Sequence, residues 1–280
     1  MTKMDRRMLL LGGAAAMATG MLGPAPALAA PFASRRIAVT VRGSGPDVVL
    51  IPGLASGPGI WSGVTAALPG YRWHLVHVRG FAGLPPEGNA SGALVQPLAD
   101  EIARYISGAG LVRPAIVGHS MGGTLAMLVG LKGVAGRVMV VDMLPEGAAM
   151  VGGTASGMGF LANQLGDYFT GTKAGRAYLA QILAQTRGAK GSDPDVIANA
   201  LRDLANMDLG PQIARLSAPL EVVYAVGSDA AQANEINRTF RAAYAARKGA
   251  RLLPIGPSGH MVMQDQPARF AAALKAFLQR

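Results

Sequence analysis

The sequence predicts an α/β fold: a mostly parallel central sheet with helices on both faces, interrupted by a helical insertion. Three observations carry this. Short apolar runs rich in β-branched residues alternate with stretches of helical period along most of the chain. The 280 residues suit one large domain that buries a substantial core, and 50% hydrophobic against 15% charged residues excludes a disordered chain. The alternation then breaks once, between Leu144 and Ser217.

The chain opens on an address. Lys3, Arg6 and Arg7 precede the apolar stretch Met8–Met21, followed by Pro24, Pro26 and the small-residue pattern Ala27-Leu28-Ala29 before Ala30. This is the layout of a cleavable secretory signal over residues 1–30, and the expected location is exported, periplasmic or secreted. Arg6-Arg7 with Met8-Leu9-Leu10 resembles a twin-arginine signal, although Asp5 stands where Ser or Thr is usual and Leu9 where Phe is usual. The apolar run is short and Gly-containing, so no stable membrane span is expected after cleavage.

Ile37–Val41 then reads as a strand, Gly43–Pro46 as a turn and Val48–Ile51 as a buried strand. Trp61–Leu68 reads as a short helix and Trp73–Val78 as a strand. Leu94, Leu98, Ile102 and Ile106 step by four, so 94–106 reads as a helix. Ala115–Val117 reads as a strand, Met121–Leu131 as a helix and Arg137–Val141 as a strand. With one clear strand before Val48, the first edge strand of the sheet is expected to be short or missing.

The first part of the core thus covers 31–144 and a helical insertion covers 145–217, with helices expected near Ala174–Arg187 and Pro194–Met207. The second part, 218–280, holds strands Leu220–Tyr224 and Arg251–Ile255 and helices Asn234–Ala246 and Pro267–Gln279, the last with Pro at its start. Because functional loops of a parallel sheet sit at strand C-termini, an insertion after Arg137–Val141 reads as a lid.

The formal charge of +10 raises the question of an anionic partner. The densest basic cluster, Arg238, Arg241, Arg247, Lys248 and Arg251, reads as a solvated helix face, and no zinc finger, RRM signature or aromatic-basic interleaving points to nucleic acid. With no cysteine, disulfides, thiolate catalysis and Cys-based metal sites are excluded. No cofactor or metal is expected.

The chemistry centres on Gly118-His119-Ser120-Met121-Gly122-Gly123, between a strand and a helix. A serine hydroxyl is a weak nucleophile unless it is exposed, oriented and deprotonated by a neighbour, and a sharp strand-to-helix turn exposes it. In so Gly-rich a chain the motif alone is weak, and its setting supplies the weight. His260, in Gly256-Pro257-Ser258-Gly259-His260 just beyond a strand, is the expected base. His74 and His77 alternate on a strand and read as packing or strand-end residues, whereas His119 sits in the turn itself.

The acid that orients the imidazole is expected at Asp229, after Ala225-Val226-Gly227-Ser228, with Asp142 at the end of Arg137–Val141 as the alternative. Either could instead cap a helix. The oxyanion of a tetrahedral intermediate needs backbone N–H donors, and Leu54 and Met121 are the expected pair.

These residues resemble the α/β-hydrolase superfamily, in particular its lid-bearing serine esterase, lipase and haloperoxidase-like members. The resemblance runs from about Ile37 to the end. It takes in Pro52-Gly53, Arg79-Gly80-Phe81-Ala82-Gly83, the Ser120 turn, and Gly259-His260 with Asp265-Gln266-Pro267 downstream. It departs at Pro52, where His usually precedes the glycine, and in the variant acid loop 225–229. The resemblance implies a triad of Ser120, Asp229 and His260 with Leu54 and Met121 as oxyanion donors.

The expected activity is that of an exported serine hydrolase cleaving a small or medium carboxylic ester through an acyl-enzyme. Met and Leu residues in the insertion suit an apolar ester, a small molecule, as the partner. C–C bond hydrolysis and perhydrolysis use the same triad, and a non-catalytic small-ligand-binding protein on the same fold is the rival of another class.

Overall fold

The computed structural model describes residues 32–147, 149, 172 and 190–280. The expected signal over 1–30, the helix expected near Ala174–Arg187 and most of the expected lid lie outside the described residues.

Among the described residues seven strands form one sheet: β1 (Ile37–Arg42), β2 (Asp47–Ile51), β3 (Arg72–Val78), β4 (Ala115–His119), β5 (Arg137–Val141), β6 (Leu220–Ala225) and β7 (Arg251–Ile255). Their spatial order is β1-β3-β2-β4-β5-β6-β7. Only the edge strand β1 runs antiparallel, pairing Ile37 with Val78 through Arg42 with Trp73. Among the described residues one strand precedes β2, as the sequence leads one to expect.

The α-helices among the described residues are α1 (Ser62–Ala67), α2 (Val95–Gly108), α3 (Met121–Leu131), α4 (Pro194–Ala205), α5 (Gly210–Ile213), α6 (Ala230–Ala243), α7 (Val262–Asp265) and α8 (Pro267–Gln279). The sequence reading starts α6 at Asn234, four residues late. Asp229 begins this helix by accepting the Gln232 N–H at 2.7 Å, so polar residues that resemble loop complete its first turn.

The sheet is covered on both faces, and the period-2 alternation of its strands distributes side chains between two cores. Val49, Ile51, Ile116, Val138, Val140 and Val222 face α2, α3 and the Phe240–Tyr244 end of α6. Val48, Leu50, Val117, Met139, Val141 and Val223 face α1, α7 and α8, where Trp61 stacks on Phe270 with ring centroids 6.2 Å apart. Each fully buried aliphatic side chain contributes about 1.5–3 kcal/mol, so this double core fixes the C-terminal strand ends rigidly.

Helix α2 has no side-chain cap of its own. Asp203, from α4, supplies one: its carboxylate accepts the N–H groups of Leu94 and Val95 at 2.6 and 2.9 Å. The described end of the insertion is therefore tied to the core.

His74 is buried and bridges Tyr105 (2.6 Å) and Asp47 (2.8 Å), while the Nε2–H of half-buried His77 donates to the Phe81 carbonyl at 2.8 Å. Both are structural positions, as their alternation in the sequence implies.

Candidate active site

Strand β4 is buried throughout, and a single residue separates its end from the start of α3. The chain must therefore reverse at Ser120, which adopts φ 55° and ψ −125°. A non-glycine residue held there costs roughly 1–3 kcal/mol, and surrounding contacts must enforce it. They are visible. The Ser120 N–H donates to the Val141 carbonyl at 2.9 Å, and the Ser120 carbonyl accepts the Gly123 N–H at 2.6 Å.

The glycines are required by close approach. A Cβ on Gly118 would lie 1.9 Å from the Gly122 carbonyl oxygen, and one on Gly122 would lie 2.3 Å from the Ile51 carbonyl oxygen. The loop after β2 therefore lies directly against the turn, where a Cβ on Gly53 would stand 3.0 Å from the Ser120 Cβ.

That contact brings two expected donors beside the serine. Among the described residues, neither the Leu54 N–H nor the Met121 N–H has a hydrogen-bond acceptor. The Met121 N–H also heads α3, where the helix dipole favours negative charge.

His260 sits in the loop after β7. Asp265 accepts the Gly259 N–H at 2.9 Å, and Gln266 donates to the Pro257 carbonyl at 2.6 Å, so the sequence that follows His260 holds its loop. Its Nδ1 lies 2.7 Å from Asp142 Oδ2. Asp142, only 7% exposed, directly follows β5 at φ 52°; its Oδ1 accepts the Ala225 N–H at 2.9 Å.

Here the structure departs from the preferred acid of the sequence reading. Asp229 is exposed and engaged as the N-cap of α6, and it is Asp142 that meets His260. The physical reason is local. The run Asp229-Ala-Ala-Gln232 satisfies the leading N–H groups of a helix, which draws the carboxylate to its own backbone. Ser120 Oγ and His260 Nε2 both remain free of partners among the described residues.

His119, which has no expected role from the sequence, has one in the structure. It is 2% exposed; its Nε2 lies 2.9 Å from the His260 carbonyl, and the two imidazoles stand 4.6 Å apart. Burial, reinforced by the neighbouring His260, lowers its pKa to about 4. The neutral ring therefore donates its Nε2–H to the carbonyl, while its buried Nδ1 has no partner. No periodicity signal could have found this, since the contact spans 141 positions of sequence.

This burial makes the fold acid-sensitive. A histidine titrating near 6.5 when unfolded and about 4 when folded binds its proton more readily in the unfolded chain. Its contribution is intact above pH 6.5, declines as pH falls towards 4 and loses nothing further below. The total is roughly 3 kcal/mol. Urea unfolding at pH 7 and 4.5 is expected to show this loss, and His119→Gln to diminish it; an equal pH dependence in both proteins would remove His119 as its source.

A cavity of about 360 Å³ opens on the Asp142–His260 pair, with Leu144, Ile236 and Phe240 as apolar walls and Gln232, Thr239 and Ser258 as polar ones. Among the described residues, no His, Asp or Glu cluster could hold a metal ion.

Comparison with known proteins agrees with this architecture. An uncharacterized protein of Mycobacterium tuberculosis is 26% identical, the match covering 87% of this chain and 78% of that one. A pimeloyl-[acyl-carrier protein] methyl ester esterase of Aeromonas hydrophila is 33% identical over 97 residues, 34% of this chain and 36% of that one. In fold, an esterase from Exiguobacterium antarcticum superposes with a TM-score of 0.66 at 18% identity, covering 87% of this chain and 96% of its own. The model of the alpha/beta hydrolase family matches residues 48–273, from β2 into α8 and through the Ser120 turn, so the chain belongs to that family.

Proposed function

We propose that this hydrolase is a serine esterase that cleaves a small or medium carboxylic ester through an acyl-enzyme on Ser120. One observation carries the reading: the Asp142–His260 hydrogen bond lies at the strand ends where His119, the neighbour of a serine held at positive φ, packs its ring 4.6 Å from that of His260, and among the described residues the Leu54 and Met121 N–H groups beside that serine have no acceptor. In this mechanism His260 Nε2 takes the Ser120 proton as Oγ attacks the ester carbonyl, whose π pair moves to oxygen. The N–H groups of Leu54 and Met121 receive that oxyanion. The intermediate collapses by expelling the alcohol, which takes the proton from His260. Water, deprotonated by His260, then releases the acid and regenerates Ser120. Asp142 keeps the proton on His260 Nδ1, so that Nε2 presents its lone pair to the serine.

The esterase names of the Aeromonas and Exiguobacterium proteins support the bond type, and the apolar cavity walls support an apolar group on the substrate. The described ends of the insertion leave β5 and return beside the loop after β3, at the same end of the sheet as this site. The protein acts outside the cytoplasm, a proposal resting on Arg6-Arg7 and the apolar run behind them; retention in the cytoplasm of the otherwise unaltered chain would refute it.

The deciding experiment combines a fluorophosphonate probe with esters of graded acyl length. Labelling at Ser120 with ester turnover is expected. Labelling without turnover of any ester would move the reading to C–C bond hydrolysis or perhydrolysis, and a folded protein that takes no label would be a binding protein.

A further inference from the structure

Residues 190–193, where the insertion returns to the core, lie against two loops at the C-terminal end of the sheet. The Gly83 N–H donates to the Gly191 carbonyl at 3.1 Å, and the Asp193 N–H donates to the Gly80 carbonyl at 2.7 Å. Between these two bonds sits half-buried Ser192. Its Oγ–H donates to the Ala55 carbonyl at 3.0 Å, and the same oxygen accepts the Ala82 N–H at 2.8 Å. One hydroxyl thus joins the loop after β2, the loop after β3 and the returning chain.

Ala55 is the residue after Leu54, and it is buried at φ 58°, a conformation an alanine does not choose for itself. Around it the loop packs against the Ser120 turn and the core, while its own hydrogen bonds are local. The Ser56 N–H closes a turn on the Gly53 carbonyl at 3.1 Å, and Ser56 Oγ reaches the Leu54 carbonyl at 3.3 Å, both within the loop. To this packing Ser192 adds a side-chain hydrogen bond from a different part of the chain. The Ala55 carbonyl and the Leu54 N–H belong to the same tight turn, closed by the Ser56 N–H on the Gly53 carbonyl, so holding that carbonyl narrows the backbone rotations open to the peptide that carries the Leu54 N–H.

We propose that Ser192 is a positioning residue for the Leu54 oxyanion donor, so that the return of the insertion sets the geometry of the oxyanion loop. The inference rests on the serine-esterase reading for its effect on turnover, but not for the anchoring itself. An oxyanion donor acts on the transition state more than on the bound substrate, so a misaimed one lowers kcat and leaves KM nearly unchanged. Removing such a donor costs about 10²–10³ in kcat; loosening one is expected to cost about tenfold.

The test compares Ser192→Ala with Ser192→Thr, which keeps the hydroxyl. Ser192→Ala is expected to lower kcat about tenfold with KM within about twofold, and Ser192→Thr to restore most of the rate. Amide hydrogen exchange over Gly53–Ser56 is expected to rise several-fold in Ser192→Ala alone. A full rate in folded Ser192→Ala, a loss confined to KM, or a threonine variant as impaired as the alanine one would overturn the proposal, as would unchanged exchange. The exchange measurement needs no turnover. Faster exchange in Ser192→Ala, in a protein whose wild type hydrolyses no ester, would keep Ser192 as the loop's anchor and remove only the esterase reading.

Discussion

Ser120→Ala is expected to abolish fluorophosphonate labelling and to lower kcat on the best ester by at least about 10⁴-fold, with KM little changed. The size follows from the role. Without Oγ no acyl-enzyme forms, and what remains is the effect of binding and the oxyanion donors on attack by water. The variant should fold as the wild type does, because alanine deletes only an oxygen that has no partner among the described residues. Ser120→Gly separates catalysis from strain. With φ at 55°, glycine relieves the backbone there and should match the alanine variant in rate while unfolding at a higher urea concentration, by about 1 kcal/mol. Turnover near the wild-type rate in Ser120→Ala would remove this residue as the nucleophile.

Much of this architecture is legible in the sequence because the signals that specify it are local. Val48–Ile51, Arg137–Val141 and Arg251–Ile255 are apolar runs of strand length, and the step of four from Leu94 to Ile106 has no other economical reading than a helix. The Ser120 turn is local as well, since Gly118 and Gly122 stand two residues on either side of the serine and the space they vacate is filled by main-chain carbonyls. Contacts across the fold were beyond such reading. The partnership of His119 with His260 depends on how β4 and the loop after β7 meet. The same holds for Ser192, which is unremarkable until its neighbours are Ala55 and Ala82. The acid shows the boundary most clearly. Asp142 and Asp229 both follow strands, and strand position cannot separate them. A sharper reading of Asp229-Ala-Ala-Gln232 as a helix start would have favoured Asp142, since a carboxylate capping its own helix is not free to orient an imidazole, even one on the neighbouring strand.

That distinction gives the second large effect. Asp142→Asn is expected to lower kcat by about 10³–10⁴-fold, while Asp229→Asn should stay within about twofold of wild type. The asparagine at 142 is nearly the same shape, so the loss comes from where its amide hydrogens point. The Ala225 N–H already donates to Oδ1, which fixes that atom as the amide oxygen and turns the NH₂ towards His260. His260 Nδ1 must then accept, its proton moves to Nε2, and the imidazole faces Ser120 with a donor where a base is required. Asp229 carries no such burden. Asparagine caps a helix about as well as aspartate, so Asp229→Asn should change neither rate nor stability, and Asp229→Ala should cost about 1 kcal/mol of stability at unchanged kcat. Stopped-flow acylation with an activated ester, alongside urea unfolding of each variant, separates the two carboxylates. A fully active Asp142→Asn protein with a crippled Asp229→Asn would return the acid's role to Asp229 and require the loop after β6 to leave its capping geometry when substrate binds.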